Sequence, residues 1–184
     1  MNETKTEPIR IEMGSGGKPR KKDWKQNDVR AIPGVDYVCN AWDLDKSVPE
    51  SSVHALFSRH MFEHLTYKQC EKAAECWFRI LVPGGTVELS LPNLDFHLQQ
   101  LTQKRDIPGT DARIGWRRHG LAGLYGHQNG TLEEVWDVHK SGWDHASIRK
   151  MFLSKGFEVS KMLTKPSQRD IHVLFAKPKG NPVA

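Results

Sequence analysis

The chain has 184 residues, of which 38% are hydrophobic and 27% charged, with a formal net charge of +5. That length favours a single domain, and that composition excludes disordered, collagen-like and coiled-coil chains. No stretch approaches the roughly 18 consecutive apolar residues of a membrane span, and the opening MNETKTEPIR has no apolar core for a signal peptide, so a cytoplasmic protein without membrane contact is expected.

Residues 1–7 read as a disordered polar tail and 179–184 as a second tail, which leaves a folded domain over 8–178. Ile9 to Met13 is a short apolar-leaning strand that stops at Gly14-Ser15-Gly16-Gly17. Val29 to Ile32 and Val35 to Cys39 have strand composition, and Val53 to Phe57 is a further strand. Thr66, with Gln69 three residues later, writes a capping box. The helix it opens carries Cys70, Ala73, Ala74, Trp77 and Leu81 on one apolar face and ends at Pro83-Gly84-Gly85. Thr86 to Leu91 returns as a strand and stops at Pro92.

From about 93 to 142 glycines break any long period, and the segment reads as a loop-rich insertion facing a substrate. Asp144 caps a helix that runs to about Lys155, with Ile148, Met151 and Phe152 inward and Gly156 as its stop. Phe157 to Met162 and Ile171 to Lys177 are the last strands. This alternation predicts an α/β fold with a mostly parallel sheet whose ligand site lies at the carboxyl ends of the strands, where the glycine turn sits.

Glycines at a strand end let a ligand approach the main chain. The P-loop pattern fails because Glu12 replaces its first glycine and Pro19 its hydroxyl residue, and the dinucleotide pattern fails because Pro19 takes its third glycine. What remains, Glu12-x-Gly14-x-Gly16, suits a ligand with a cationic group and no pyrophosphate, such as S-adenosylmethionine. Asp28, sixteen residues after Glu12, would accept from the ribose hydroxyls, and Asn40 from the adenine amine.

The runs IEMGSGGKP, DWKQNDVR, PGVDYVCNAWDL, SVHALFSRHMFEHL and RILVPGGTVELSLPN resemble the small class I S-adenosylmethionine-dependent methyltransferases of the methyltransferase type 11 kind. The resemblance covers about residues 8 to 95 with the closing helix and strands, and RHMFEHL and LVPGG carry most of it. It implies a Rossmann-like, doubly wound sheet of seven strands, mostly parallel with an antiparallel last strand, in a single domain. It also implies that Glu12, Gly14, Ser15 and Gly16 line the methionine and ribose part of the cofactor. Asp28 then holds the ribose, Val29 lies beside the adenine, and Asn40, Ala41 and Trp42 flank the base. Lys18 stands where the fullest family pattern has a third glycine, and Asn40 where many relatives have Asp, which an amide oxygen can replace as acceptor. The segment between the first two strands is short.

Methyl transfer from a sulfonium needs alignment and exclusion of water rather than a nucleophilic side chain. A hydroxyl or amine acceptor needs a base, and His60, just past the fourth strand, is the first candidate and His139 the second. His119 and His127 have only their location in the insertion to recommend them. Glu63 and His64 follow His60, but the order His-Glu-x-x-His is absent, so no metal is expected. Trp116, Tyr125, Trp136 and Trp143 clamp an acceptor or cover the sheet edge, and Arg113, Arg117 and Arg118 suit a phosphorylated sugar or a nucleic-acid backbone.

Cys39, Cys70 and Cys76 are an odd number without CxxC spacing and read as free thiols. Lys18, Arg20, Lys21, Lys22, Lys177 and Lys179 hold much of the positive charge, which reads as a solvated cluster. A methyltransferase for a small-molecule or carbohydrate-like acceptor is therefore the first reading. An RNA or DNA methyltransferase is the second, and a non-catalytic S-adenosylmethionine-binding partner or regulatory subunit the third.

Overall fold

Ile9–Met13 (β1), Lys25–Asp28 (β2), Tyr37–Val38 (β3), Val53–Arg59 (β4), Leu81–Pro92 (β5), Glu158–Met162 (β6) and Asp170–Ala176 (β7) form one sheet in the order β3-β2-β1-β4-β5-β7-β6. The computed structural model describes residues 8–129, 136–162 and 168–180; the expected tail at 1–7 and most of the one at 179–184 lie outside them. Every pairing is parallel except those of β7, which runs antiparallel to both β5 and β6. The order reverses between β1 and β4, and the crevice beyond their carboxyl ends is where a doubly wound sheet takes its ligand.

Among the described residues four α-helices accompany the sheet: Tyr67–Ile80 (α1), Leu94–Gln103 (α2), Gly115–Tyr125 (α3) and His145–Ser154 (α4). Both halves of the capping box at Thr66 and Gln69 form, and Asp144 with Ser147 makes a second one on α4. The apolar face of α1 packs onto the sheet, where the Trp77 indole N–H donates to the Ala41 carbonyl at 2.9 Å. Phe152 of α4 stacks on Phe175 of β7 with centroids 4.2 Å apart and touches Trp77, so α1 and α4 share one face of the sheet. No helix lies in the β1–β2 or β2–β3 connection. Among the described residues no helix is long and apolar enough to cross a membrane.

Two elements depart from expectation. The second strand is Lys25–Asp28, not Val29 to Ile32. Its buried side-chain amides donate to nearby carbonyls, Gln26 Nε2 to Trp24 and Lys21 and Asn27 Nδ2 to Tyr37 and Cys39, while Gln26 Oε1 has no partner among the described residues. The fifth strand starts at Leu81 rather than Thr86, and α1 ends at Ile80, before the Pro-Gly-Gly run. A register shift between Val53 and Ala55 takes up the extra residues.

The segment 93–142 contains α2 and α3 packed as a hairpin. Glycines permit the approach: a Cβ on Gly123 would stand 2.2 Å from the His97 ring, and one on Gly120 2.9 Å from Leu101. Lys21, one of the basic cluster, lies over the rings of Trp24 and Phe57 and pairs with Glu88, so that charge belongs to the sheet face rather than to bulk solvent.

Candidate functional site

The turn after β1 lies at the carboxyl end of the sheet. Gly14 has φ +64°, and a Cβ there would fall 2.3 Å from Met61 Cγ, so only glycine fits. The amides of Gly14 and Ser15 both donate to the Asn27 carbonyl, at 2.8 and 3.2 Å, and the Gly16 amide donates to Asp28 Oδ2 at 2.9 Å. With these N–H groups spent inside the protein, the turn cannot cradle a phosphate through them. It offers a ligand a surface without Cβ atoms instead.

Beside the turn runs a groove of about 380 Å³, lined by Gly14, Gly16, Asp28, Val29, Asn40, Ala41, Trp42 and His60 among others. Most of the predicted cofactor residues therefore meet along one surface. Glu12 and Ser15 do not line it. The buried Glu12 carboxylate accepts the amides of Arg20 and Lys21 at 2.7 to 3.0 Å and so ties down the loop behind the turn. Ser15 is buried with its hydroxyl unpartnered among the described residues.

Asp28 is the last residue of β2 and is 4% exposed. Burial raises its pKa, but hydrogen bonds from Arg30 and from the Gly16 amide outweigh this, and the net direction is down. Asn40 donates its Nδ2 to Asp43 Oδ2 at 3.0 Å, which leaves Oδ1 as the acceptor on a groove-lining side chain. Met61, His64, Leu65, Gln69 and Lys140 line the groove without having been singled out for it in sequence, and Trp136, weighed as an acceptor clamp, lines it too.

His60 follows the last residue of β4 with φ +47°, a left-handed conformation that costs a non-glycine residue about 1 kcal/mol or more and that gathers at functional sites. Its amide is held by the Ser90 carbonyl at 2.8 Å. Burial lowers the pKa of its ring, but Glu63, whose Oε1 lies 3.3 Å from Nδ1, more than offsets that and raises it. His60 and His64 also line a second pocket of about 390 Å³, walled by Glu63, His97, Asp111, Arg113, His119, His127, His139 and Arg169 among others. Most of that wall comes from α2, α3 and the loops around them.

Three histidines of the second pocket, His97, His119 and His139, are shifted toward the neutral form. His97 is pushed down to about 4, chiefly by burial, with its Nδ1 on Gln100 Oε1 at 3.2 Å. Burial also lowers His119, whose Nδ1 accepts the Asp111 amide at 3.1 Å. His139 is lowered for the same reason, and its Nδ1–H donates to the Gly123 carbonyl at 3.0 Å.

Phe62 builds the centre of this arrangement. Its ring packs against Trp77, Phe152 and Trp143 at 5.5 to 5.9 Å and anchors the short turn Phe62–His64. The amides of Lys140 and Ser141 donate to the Glu63 carbonyl at 2.8 and 3.1 Å, which brings His139 against that turn. Glu63, His64 and His139 consequently place one ligating atom each within 4.8 Å of one another. Motif spacing sets a metal aside here because it sees Glu63 and His64 alone; the third member is 75 residues away from His64 and arrives only through the fold. Arg113, by contrast, is paired with Asp111 at the rim.

No family model and no curated protein matches the chain. Among solved structures it is similar to a SAM-dependent methyltransferase of Methanosarcina mazei, at 15% identity and a TM-score of 0.61, over 94% of each chain. It is similar to an S-adenosylmethionine-dependent methyltransferase of Mesorhizobium loti, at 13% identity and a TM-score of 0.58, over 91% of this chain and 90% of that one. The 1,6-didemethyltoxoflavin-N1-methyltransferase of Burkholderia thailandensis, whose structure holds 1,6-didemethyltoxoflavin and S-adenosylhomocysteine, is similar at 12% identity and a TM-score of 0.58, over 93% of this chain and 72% of that one. These likenesses show the fold, the Rossmann-like sheet of class I methyltransferases in one domain.

Proposed function

We propose that the chain is a methyltransferase that carries a methyl group from S-adenosylmethionine to a small-molecule or carbohydrate-like acceptor. One observation carries this reading: the groove beside the glycine turn and the histidine-walled pocket share His60 and His64, so a donor site and an acceptor site meet at one strand end. Both volumes lie in the range of small-ligand sites, about 300–1,000 Å³.

The groove fits the donor. A turn with its amides spent favours a ligand without a pyrophosphate, Asp28 is the carboxylate for the ribose hydroxyls, and Asn40 Oδ1 is the acceptor for the adenine amine. Val29, Ala41 and Trp42 supply apolar surface beside the base. When bound, S-adenosylmethionine supplies a methyl group on a sulfonium that departs as a neutral thioether.

The residues then divide the remaining work. His60 takes the proton that the acceptor hydroxyl or amine gives up as it gains the methyl, and Glu63 steadies the imidazolium that results. His139, fixed with its Nδ1–H on Gly123, presents Nε2 to the same pocket as a second proton acceptor. The 93–142 segment is the substrate-facing cover: α2 and α3 wall the acceptor pocket and exclude water.

S-adenosylhomocysteine at 100 times its Kd stabilises a protein by about 2.7 kcal/mol. That shift is expected in the wild type, and Asp28→Ala removes most of it. Labelled methyl donor with a panel of sugars, phosphorylated sugars and RNA then reads the acceptor. No stabilisation of the wild type overturns the donor site, and label in RNA alone replaces the small-molecule acceptor with nucleic acid.

A further inference from the structure

The geometry points to a divalent-cation site formed by the Glu63 carboxylate and the Nε2 atoms of His64 and His139, open toward the acceptor pocket. Glu63 is 2% exposed, and its Oε2 has no hydrogen-bond partner among the described residues. A buried carboxylate oxygen left in that state is strongly disfavoured unless a cation or donors compensate it. Within ion-pair range among the described residues it has two imidazoles, His60 Nδ1 at 3.3 Å and His139 Nε2 at 4.0 Å, and no lysine or arginine.

Both proposed imidazole ligands are oriented as metal ligands are. The His64 Nδ1–H donates to the Val138 carbonyl at 3.0 Å and the His139 Nδ1–H to the Gly123 carbonyl at 3.0 Å. Each ring is thereby fixed in the tautomer that leaves the Nε2 lone pair for an ion, the outer arrangement that protein metal sites use. The two rings stand edge to face with centroids 5.0 Å apart. Ligand atoms about 2.1 Å from a tetrahedral ion lie about 3.4 Å from each other. Closing the 4.0 Å between His139 and Glu63 therefore needs only a small side-chain rotation.

Two imidazoles and one carboxylate suit a first-row ion such as Zn²⁺, Mn²⁺ or Fe²⁺ better than Ca²⁺, which takes oxygen ligands. Three protein ligands leave coordination positions open, and the second pocket, on which all three residues border, is where those positions face. Such an ion would select an acceptor that presents oxygen donors, a hydroxyl beside a second oxygen, and would acidify the hydroxyl. This use of the ion rests on the methyltransferase reading above; the binding site itself does not. With the ion bound, His139 Nε2 is a ligand and His60 alone takes the O–H proton; the oxygen pair forms the new O–C bond, the S–C pair stays on sulfur, and the ion is unchanged.

The test is calorimetric titration of the untagged, chelator-treated full chain with Zn²⁺ and Mn²⁺, with Co²⁺ absorption as a second readout of nitrogen ligation. One ion per chain is expected. Removing an outer partner of a metal ligand already weakens binding about 10–100-fold, so His64→Ala and His139→Ala should each cost at least tenfold. Glu63→Gln, which keeps the shape, should abolish tight binding without loss of fold, and His54→Ala, on exposed β4 surface, should change nothing. Absent ion binding, or binding that survives all three site variants, overturns the proposal. S-adenosylhomocysteine affinity is measured on the same samples: ion binding without it sinks the methyltransferase reading alone, and the reverse sinks the metal site alone.

Discussion

Arg30 closes on Asp28: its Nε lies 3.0 Å from Oδ1, its Nη2 3.3 Å from Oδ2, and its own amide 3.0 Å from Oδ1. With the Gly16 amide on Oδ2, the carboxylate proposed for the ribose is fully engaged by the protein's own donors. The Arg30 side chain also stands over the Trp136 ring, at 5.8 Å, and both residues line the groove. A ribose diol must therefore compete with the guanidinium for Asp28.

Removing that competitor should tighten the cofactor. The Arg30 side chain is 41% exposed, so its ion pair is worth no more than about 1 kcal/mol, and Arg30→Ala should lower the Kd for S-adenosylhomocysteine about fivefold. Titration calorimetry reads the change. A tenfold loss instead would make Arg30 a cofactor-binding residue and not a competitor.

Gly14→Ala should destabilise the fold through two separable causes. The left-handed backbone costs about 1–2 kcal/mol for any residue with a Cβ, and the clash with Met61 adds to it. In urea unfolding, Gly14→Ala combined with Met61→Ala should be less destabilised than the sum of the single variants. Strict additivity would mean that Met61 moves aside freely.

The cap on α4 gives a pH signature. Hydrogen bonds from the Ser147 amide hold the Asp144 carboxyl below its ordinary value of 3.8. A group whose folded pKa is depressed contributes stability that is complete above the unfolded value and is lost as pH falls through the folded one. Asp144→Ala should therefore cost about 1 kcal/mol at neutral pH, and the difference should shrink as the pH drops below about 3.8. A penalty that persists undiminished under strongly acidic conditions would assign the effect to packing.

The thiols should be slow. Burial pushes Cys70 and Cys76 up to about 12 and raises Cys39, which lines the groove. At mildly alkaline pH a disulfide reagent should modify the native chain far more slowly than the denatured chain, because the thiolate is the reactive form. Cys39 should be the first to react, and S-adenosylhomocysteine should protect it. Fast native labelling of Cys70 would contradict its burial.

Where structure is made by neighbours in the chain, the residues announce it. The capping box at Thr66–Gln69, the cap at Asp144 and the apolar period of α1 through Trp77 are contacts three or four residues apart, and each forms where its pattern predicts, while Leu81, expected on that face, opens β5 instead. The strand at Ile9–Met13 and the glycine turn after it are legible for the same reason, since positive φ at Gly14 and Gly16 is a property of those residues. The Lys25–Asp28 strand is not legible, because the Asn27 side-chain amide buried in KQND is satisfied only by carbonyls of the Tyr37 to Cys39 segment.

The amino-acid sequence by itself determined the α/β class, the glycine turn at the end of β1 and about half of the residues that line the groove. Only the tertiary structure decided that Glu12 serves a loop, that Arg30 occupies Asp28, and that His139 joins Glu63 and His64. Those relations depend on the direction in which a side chain leaves its backbone and on segments up to 76 residues apart brought within a few ångströms. Burial supplies the energy for that approach, and no local pattern records it.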